Sequence, residues 1–224
     1  MNVNPIVDTQ RSGLIGLETI TTVKPETIAE IWEAAEAFIS PELTRRIWGL
    51  NCLIKQQAIY ISPLVAYLMA TRLAEPDIEL RSRIVHTLAN TLSPMDRTTT
   101  VQEAVVNVLN NYLKSMRTRM IFSLIQVVDF DKSLEPDVAA LLSVCSFAGG
   151  HLADILANRD ISINIRKQAA IFIGRIGFLD ALPAMEKIAF RMESRKNNWN
   201  SSFNDNDDEL YILVQDALLN LRAP

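Results

Sequence analysis

The residues best suited to binding chemistry are arginines that recur at one position of successive helical segments. When the apolar stripes of these segments are aligned, Arg46, Arg83 and Arg119 share a column, and Gln168 follows in a fourth segment. Guanidinium groups bind carboxylate and phosphate oxygens through paired, charge-assisted hydrogen bonds. The column therefore suits an acidic or phosphorylated segment of another protein. A solvated charged face, or arginine stems that cover apolar surface, gives the same pattern.

A second column of the same segments is mixed in chemistry. It reads Gly49, His86, Phe122 and Ile171, and it becomes more apolar toward the carboxyl terminus. The pattern predicts either an exposed binding patch that includes His86 and Phe122 or packing contacts between neighbouring helices.

Two aromatic residues stand in a polar stretch near the carboxyl terminus. Residues 194–208 are rich in Asn, Asp and Ser, which favour turns, and they include Trp199 and Phe203. Aromatic side chains concentrate binding energy at interfaces, so Trp199 and Phe203 are candidate partner contacts. The alternatives are a plain loop or a loop that folds back and caps the core.

The chain shows no pattern of catalytic, cofactor-binding or metal-binding residues. His86 and His151 lack the spacing and the Cys partners of a zinc site, and no Gly-rich loop carries a Lys for phosphate. The acidic run from Asp205 to Glu209 lacks the glycine and the spaced glutamate of a calcium loop. We therefore expect a protein that is not an enzyme and that uses no cofactor and no metal.

The elements that would position these residues are helices that return at a period of about 36 to 49 residues. In the clearest copies, an acid at Glu75 or Asp160 is followed, after five spacers, by Arg81 or Arg166 and then by an apolar stripe. Matching stripes predict second helices near residues 42–56, 78–92, 115–129, 163–177 and 209–223. In this alignment Leu43 and Ile47 match the core positions of the later copies, and Thr44 stands where the clearest copies have Arg81 and Arg166.

The helices that precede these are more varied. The first is predicted from Pro25 to about Ser40, and its apolar stripe is predicted to hold Ile28, Ile31, Trp32, Ala35 and either Phe38 or Ile39. Residues 98–114 supply another, and prolines at Pro63 and Pro183 stand in the first turns of two more. Residues 149–150, a Gly-Gly pair, are predicted to separate two short helices over 135–147 and 151–158.

The chain resembles the HEAT-repeat family. The stretch Gly174-Arg-Ile-Gly177-Phe-Leu-Asp180-Ala-Leu-Pro183 is similar to the junction between consecutive HEAT repeats, and residues 160–166 resemble the turn and second helix of such a repeat. The resemblance covers roughly residues 25–224. It implies an all-α, right-handed solenoid of about five stacked antiparallel helix pairs. It also implies that the second helices line the concave side, which would place the arginine column there.

The Arg81 and Arg166 column has a structural interpretation. We expect each guanidinium to reach the acid of its own turn or of a neighbouring turn and so to hold stacked pairs together. The first predicted repeat has Thr44 at this place and the last has Tyr211. These departures fit repeats that cap the two ends of the stack.

Composition and charge exclude several classes of protein. The chain has 224 residues, 49% of them hydrophobic and 21% charged, which is typical of a globular domain. The net charge of −4 argues against a general affinity for nucleic acid. A membrane span needs about 20 apolar residues, and no apolar stretch of the chain approaches that length. Cys52 and Cys145 are too few for a disulfide framework, so a cytoplasmic location is expected.

The expected organisation is a tail over residues 1–24 and one helical domain over 25–224, with an inserted loop at 194–208. Part of the tail, residues 14–20, is expected to dock on the first helices. The predicted function is a non-enzymatic scaffold or adaptor that binds another protein through its second-helix face. The competing hypothesis is a nucleic-acid-binding or DNA-repair protein of HEAT type that uses Arg46, Arg83 and Arg119.

Overall fold

The computed structural model describes residues 25–93, 100–196 and 205–222. Within these ranges the regular structure is helical throughout, which confirms the all-α prediction. The α-helices are α1 (Pro25–Phe38), α2 (Leu43–Lys55), α3 (Ala58–Ile61), α4 (Pro63–Thr71), α5 (Ile78–Leu92), α6 (Glu103–Lys114), α7 (Thr118–Phe130), α8 (Glu135–Val144), α9 (Ala148–Ala157), α10 (Ile163–Ile176), α11 (Leu182–Lys196) and α12 (Asp205–Arg222). Short 3-10 turns at Lys132–Leu134 and Leu179–Ala181 precede α8 and α11.

The five predicted second helices are α2, α5, α7, α10 and α12. Their observed bounds agree with the predicted ones to within about four residues, since periodic apolar stripes locate helices better than their ends. Capping side chains mark the first residues of two helices, α5 and α4. The Asp77 carboxylate accepts a 2.8 Å hydrogen bond from the Leu80 amide at the start of α5, and Ser62 caps α4 directly before Pro63.

The chain forms two compact units, residues 1–56 and residues 57–224, which are described separately. In the first unit α1 packs on α2 at a close crossing. A Cβ atom on Gly49 would lie 2.6 Å from the Ala34 carbonyl oxygen and 2.5 Å from the Phe38 nitrogen, so only glycine permits this approach. Around the crossing, the buried side chains of α1 are Ala34, Ala37 and Phe38.

The predicted core stripe of α1 is wrong in part. Ile28 and Trp32 are exposed. Of the predicted pair Phe38 or Ile39, Phe38 is buried, and it shares the packed face with Ala34 and Ala37. Both stripes are apolar, so the helical period alone could not decide which of them packs on α2. The match of Leu43 with the later core positions is wrong for a related reason, because Leu43 is also exposed.

In the second unit, successive second helices pack side by side: α5 on α7, α7 on α10, and α10 on α12. The preceding helices make their own contacts, with α4 on α6, α6 on α8, and α9 on α11. Small residues allow the closest of these crossings. A Cβ atom on Gly174 of α10 would lie 2.7 Å from the Cα of Ala217 in α12, so these two backbones nearly touch.

The Gly-Gly pair at 149–150 does not separate two helices as predicted. The break lies at Cys145 to Phe147, and both glycines belong to the first turn of α9. The Asp180 side chain explains them, since its Oδ2 accepts a 2.9 Å hydrogen bond from the Gly150 amide and its Oδ1 occupies the place of a Gly149 Cβ. Gly149 therefore makes room for a carboxylate that caps the helix.

The predicted loop at 194–208 is shorter than expected at both ends. Helix α11 continues to Lys196, and α12 begins at Asp205, because the acidic run there favours the positive end of the helix dipole. Residues 1–24 and 197–204, which include Trp199 and Phe203, lie outside the described part of the chain. The predictions made for them stay predictions.

Across the three described ranges, no single helix is long and apolar enough to span a membrane. The pair Lys132–Val144 and Ala148–Ala157, bent by 120°, reaches that length and apolar composition only when the two helices are taken together.

Candidate functional site

A groove of about 590 Å³ lies among three second helices of the larger unit. Its walls come from the start of α5 and the turn before it, from α7 between Phe122 and Phe130, and from the start of α10 and the turn before it. Apolar side chains supply much of the lining, among them Ile78, Phe122 and Ile165. The same groove receives the side chain of Arg81 and the carboxylates of Asp129 and Asp160.

Arg81 fixes two walls of the groove to each other. Its Nε donates a 2.6 Å hydrogen bond to the Glu75 carbonyl, and its Nη1 donates to the Ser123 carbonyl at 3.2 Å and to the Gln126 Oε1 at 2.9 Å. The side chain is only 7% exposed. Burial lowers the pKa of Arg81, and the charges of Glu75 and Asp77 oppose that shift. A buried cation with several acceptors gives the groove a rigid base.

Arg81 and Arg166 do not reach acidic side chains by hydrogen bonds, as the sequence had suggested. Arg81 binds main-chain and amide oxygens, and the Arg166 Nε donates a 2.9 Å hydrogen bond to the Leu156 carbonyl at the end of α9. Carbonyls at helix ends and turns lack intrahelical partners, so a guanidinium there stabilises the junction. Burial lowers the pKa of Arg166, against an opposing effect of Asp207.

The edge of the groove is acidic and aromatic. Asp129 and Asp160 are exposed, and neither carboxylate has a hydrogen-bond or ion-pair partner in the described ranges. Phe130, the last residue of α7, is 54% exposed beside Asp129. An apolar surface next to unpaired carboxylates suits a ligand that carries apolar and basic groups together.

A smaller cavity of about 420 Å³ adjoins the groove across the turn before α10. The two share Asp160, Ile161 and Ser162 as lining residues. The smaller cavity adds Arg159 and Arg166 from one side and Asp207 from the start of α12. The turn at 160–162 therefore separates an acidic, apolar groove from a cavity of mixed charge.

Of the predicted site residues, Phe122 lines the groove, whereas the arginine column is divided. Arg46 lies in the first unit, and its Nη1 donates to the carbonyls of Ser40 at 3.1 Å and Pro41 at 2.6 Å. Arg83 and Arg119 are exposed on α5 and α7 of the second unit. Arg46 and the pair Arg83 and Arg119 belong to different units, so the prediction that the three form one column stays a prediction.

His86 joins two helices beside this region. Its Nδ1 lies 2.7 Å from the Asp137 Oδ2 of α8, and its Nε2 lies 2.9 Å from the Asn90 Nδ2. The imidazole ring therefore links α5 to α8. The role of His86 in partner binding stays a prediction.

The sequence pattern missed Phe130, Asp129 and Asp160 as site residues. Asp160 is the first residue of the repeated sequence, but its carboxylate was expected to bind Arg166. The useful signal at Asp129-Phe130 is an aromatic residue directly at the predicted end of an apolar helix, where no further turn can cover it.

Among the residues that the structure covers, no group of three or more His, Cys, Asp or Glu side chains could hold a metal ion. Comparison of the chain with protein-family models, with curated proteins and with solved structures finds no match.

Proposed function

We propose that this protein is a non-enzymatic helical scaffold of HEAT type that binds a segment of another protein in the groove between α5, α7 and α10. The segment presents Lys or Arg next to an aliphatic or aromatic side chain. The observation that carries the proposal is the pairing of exposed Phe130 with the unpartnered carboxylates of Asp129 and Asp160.

The order of helix packing supports a solenoid of HEAT type. In such a stack each second helix lies between the previous and the next one. The contacts of α5 with α7, of α7 with α10 and of α10 with α12 follow this order. Under this proposal the groove opens on the second-helix face, where repeat proteins of this kind bind their partners.

The charges of the groove favour a basic partner over an acidic one. The guanidinium of Arg81 is already engaged by four acceptors. The charges that remain available at the edge are those of Asp129 and Asp160. Opposite charges speed association and fix the register of a bound segment, whereas a phosphorylated segment would meet repulsion here.

Selection from a random peptide display library tests the proposal. We expect the wild-type chain to enrich peptides with Lys or Arg beside Leu, Ile or Phe, and we expect Phe130→Ala and Asp129→Asn to lose that enrichment. Phe190→Ala is the matched control, because Phe190 of α11 is similarly exposed but lies outside the groove. Enrichment of acidic peptides, or equal enrichment by wild type and Phe130→Ala, would contradict the proposal.

A nucleic-acid-binding protein remains the competing function, and only Arg83 and Arg119 favour it. Fluorescence anisotropy with a labelled duplex and a labelled single strand separates the two. Nucleic-acid binding through phosphates weakens steeply between about 50 and 200 mM salt. Salt-sensitive binding that an Arg83→Ala, Arg119→Ala double variant abolishes would replace the peptide-binding proposal.

A further inference from the structure

Helix α1 has a second apolar face that does not pack on α2. Ile28, Trp32 and Ile39 are 54%, 60% and 51% exposed. Their spacing, with Ala35 between them, places all four on one side of a helix of 3.6 residues per turn. The face that packs on α2 carries Ala34 and Phe38 instead. Single exposed apolar side chains are common on protein surfaces, whereas three large ones on one stripe form a patch of the kind that binds partners.

The Trp32 indole is fixed along this face. Its Nε1 donates a 2.8 Å hydrogen bond to the Glu36 Oε1, one helical turn later. The polar atom of the indole is therefore satisfied while most of the ring remains open. A rigid aromatic side chain with its donor already bonded loses little entropy when a partner covers it.

The charges of α1 are of one sign. The helix carries four glutamates and no Lys, Arg or His. Glu36 lies on the flank of the exposed stripe and Glu33 lies further round the helix on the same side, whereas Glu30 accepts a 2.9 Å hydrogen bond from the Gln56 Nε2. The Glu33 carboxylate has no partner in the described part of the chain. The stripe is therefore apolar at its centre and acidic along one edge.

We infer that this face of α1 binds a cationic amphipathic helix, with Ile28, Trp32 and Ile39 against its apolar stripe and Glu33 and Glu36 opposite its Lys or Arg residues. Helices dock in this way through apolar residues spaced three and four apart. A second copy of this chain fits less well, because two copies of α1 would bring glutamates against glutamates. This surface is independent of the groove and stands or falls separately from it.

A labelled Leu/Lys peptide of about 14 residues, designed as an amphipathic helix, is the probe. Its anisotropy is measured against the full chain, beside two control peptides: one with every Lys replaced by Glu, and one with the same composition but no apolar stripe. We expect binding of the Leu/Lys helix only. Equal binding of the scrambled peptide would overturn the inference, since it would show attraction by net charge alone.

Variants locate the binding surface. Trp32→Gln is expected to weaken binding about tenfold, as for a central aromatic contact, and a Glu33→Lys, Glu36→Lys double variant is expected to weaken it further at low salt. Phe130→Gln controls for the groove, and Phe190→Gln controls for an exposed aromatic residue elsewhere. Unchanged affinity of Trp32→Gln, or loss in Phe130→Gln instead, would overturn the assignment.

The other occupants of the face give different results. A dimer in sedimentation experiments that Trp32→Gln converts to a monomer would identify a second copy of the chain. Trp32 fluorescence is also measured in a Trp48→Phe, Trp199→Phe background. Quenching by acrylamide only after a Leu14→Ser, Leu17→Ser substitution would identify residues 1–24 as the segment that covers this face. Either result would overturn the inference. Full quenching of Trp32 in the free monomer, and protection on adding the Leu/Lys helix, is the expected outcome.

Discussion

Arg46 and Arg81 make the same contact at the start of two different helices. Each guanidinium donates hydrogen bonds to the carbonyls of the residues six and five positions earlier: Ser40 and Pro41 for Arg46, Glu75 and Pro76 for Arg81. In both cases the second of these residues is a proline at the corner before the helix. Arg46, not Thr44, is therefore the counterpart of Arg81 in the first helix pair. Arg81, which is buried, also binds Ser123 and Gln126 of α7.

This difference predicts unequal costs of removing the two side chains. Arg81→Met would remove three hydrogen bonds from a buried site, those to Glu75, Ser123 and Gln126, so the free energy of unfolding should fall by about 3 kcal/mol. Arg46 is half-buried, so Arg46→Met should cost less, about 1 kcal/mol. Urea unfolding followed by circular dichroism measures both. Equal losses would show that the contact of Arg81 with α7 contributes little.

The close crossing of α10 and α12 predicts that Gly174→Ala destabilises the chain. The new Cβ would lie 2.8 Å from the Ala217 Cβ and 2.7 Å from its Cα, so the two helices must separate at a cost of about 1–3 kcal/mol. Gly150→Ala is the matched control, because the nearest atom of the packed neighbours to a Cβ there would be the Asp180 Oδ2, at 3.8 Å. Alanine is also the better helix former, so the control should be neutral or stabilising. Thermal unfolding of the two variants side by side distinguishes them.

The sequence predicts the elements of this protein better than their surroundings. The positions of α5 and α10 follow from their apolar stripes because a buried helical face must repeat every three to four residues. The choice between the two apolar faces of α1 does not follow, since only the crossing at Gly49 decides which one packs on α2. The groove was partly predictable: Phe122 belongs to a repeating column. Asp129 and Phe130 were not predicted as site residues, because their exposure depends on where α7 ends relative to the turn before α10.

The contact between Asp180 and the start of α9 predicts a modest loss when the carboxylate is removed. Asp180→Ala deletes the acceptor for the Gly150 amide and a negative charge at the positive end of the helix, which together should cost about 1 kcal/mol. Asp180→Asn keeps an acceptor oxygen and should recover part of this loss. Hydrogen exchange of the amides in the first turn of α9 provides the local readout. Unchanged protection there in Asp180→Ala would contradict the capping role.

The buried thiol of Cys145 predicts a decline in stability at alkaline pH. Its Sγ donates to the carbonyl of Met116 at 3.6 Å, and burial, with a smaller effect from Asp180, raises the pKa of the thiol. The folded state therefore holds the proton more tightly than the unfolded state does. The stability from this group is present in full below the pKa of the unfolded thiol, about 8.5, and is lost as pH rises from there through the pKa of the folded thiol.

Cys145→Ala should remove this contribution, so its free energy of unfolding should depend less on pH than that of the wild type between about pH 8 and 10. Burial also raises the pKa of Tyr112, but both proteins contain this residue, so its effect cancels in the comparison. Alkylation provides an independent measurement. In a Cys52→Ser background, Cys145 should react with iodoacetamide slowly under native conditions and rapidly in urea. Alkylation requires a thiolate that the reagent can reach, and burial limits both. Rapid alkylation of the folded chain would show that the site of Cys145 opens without global unfolding.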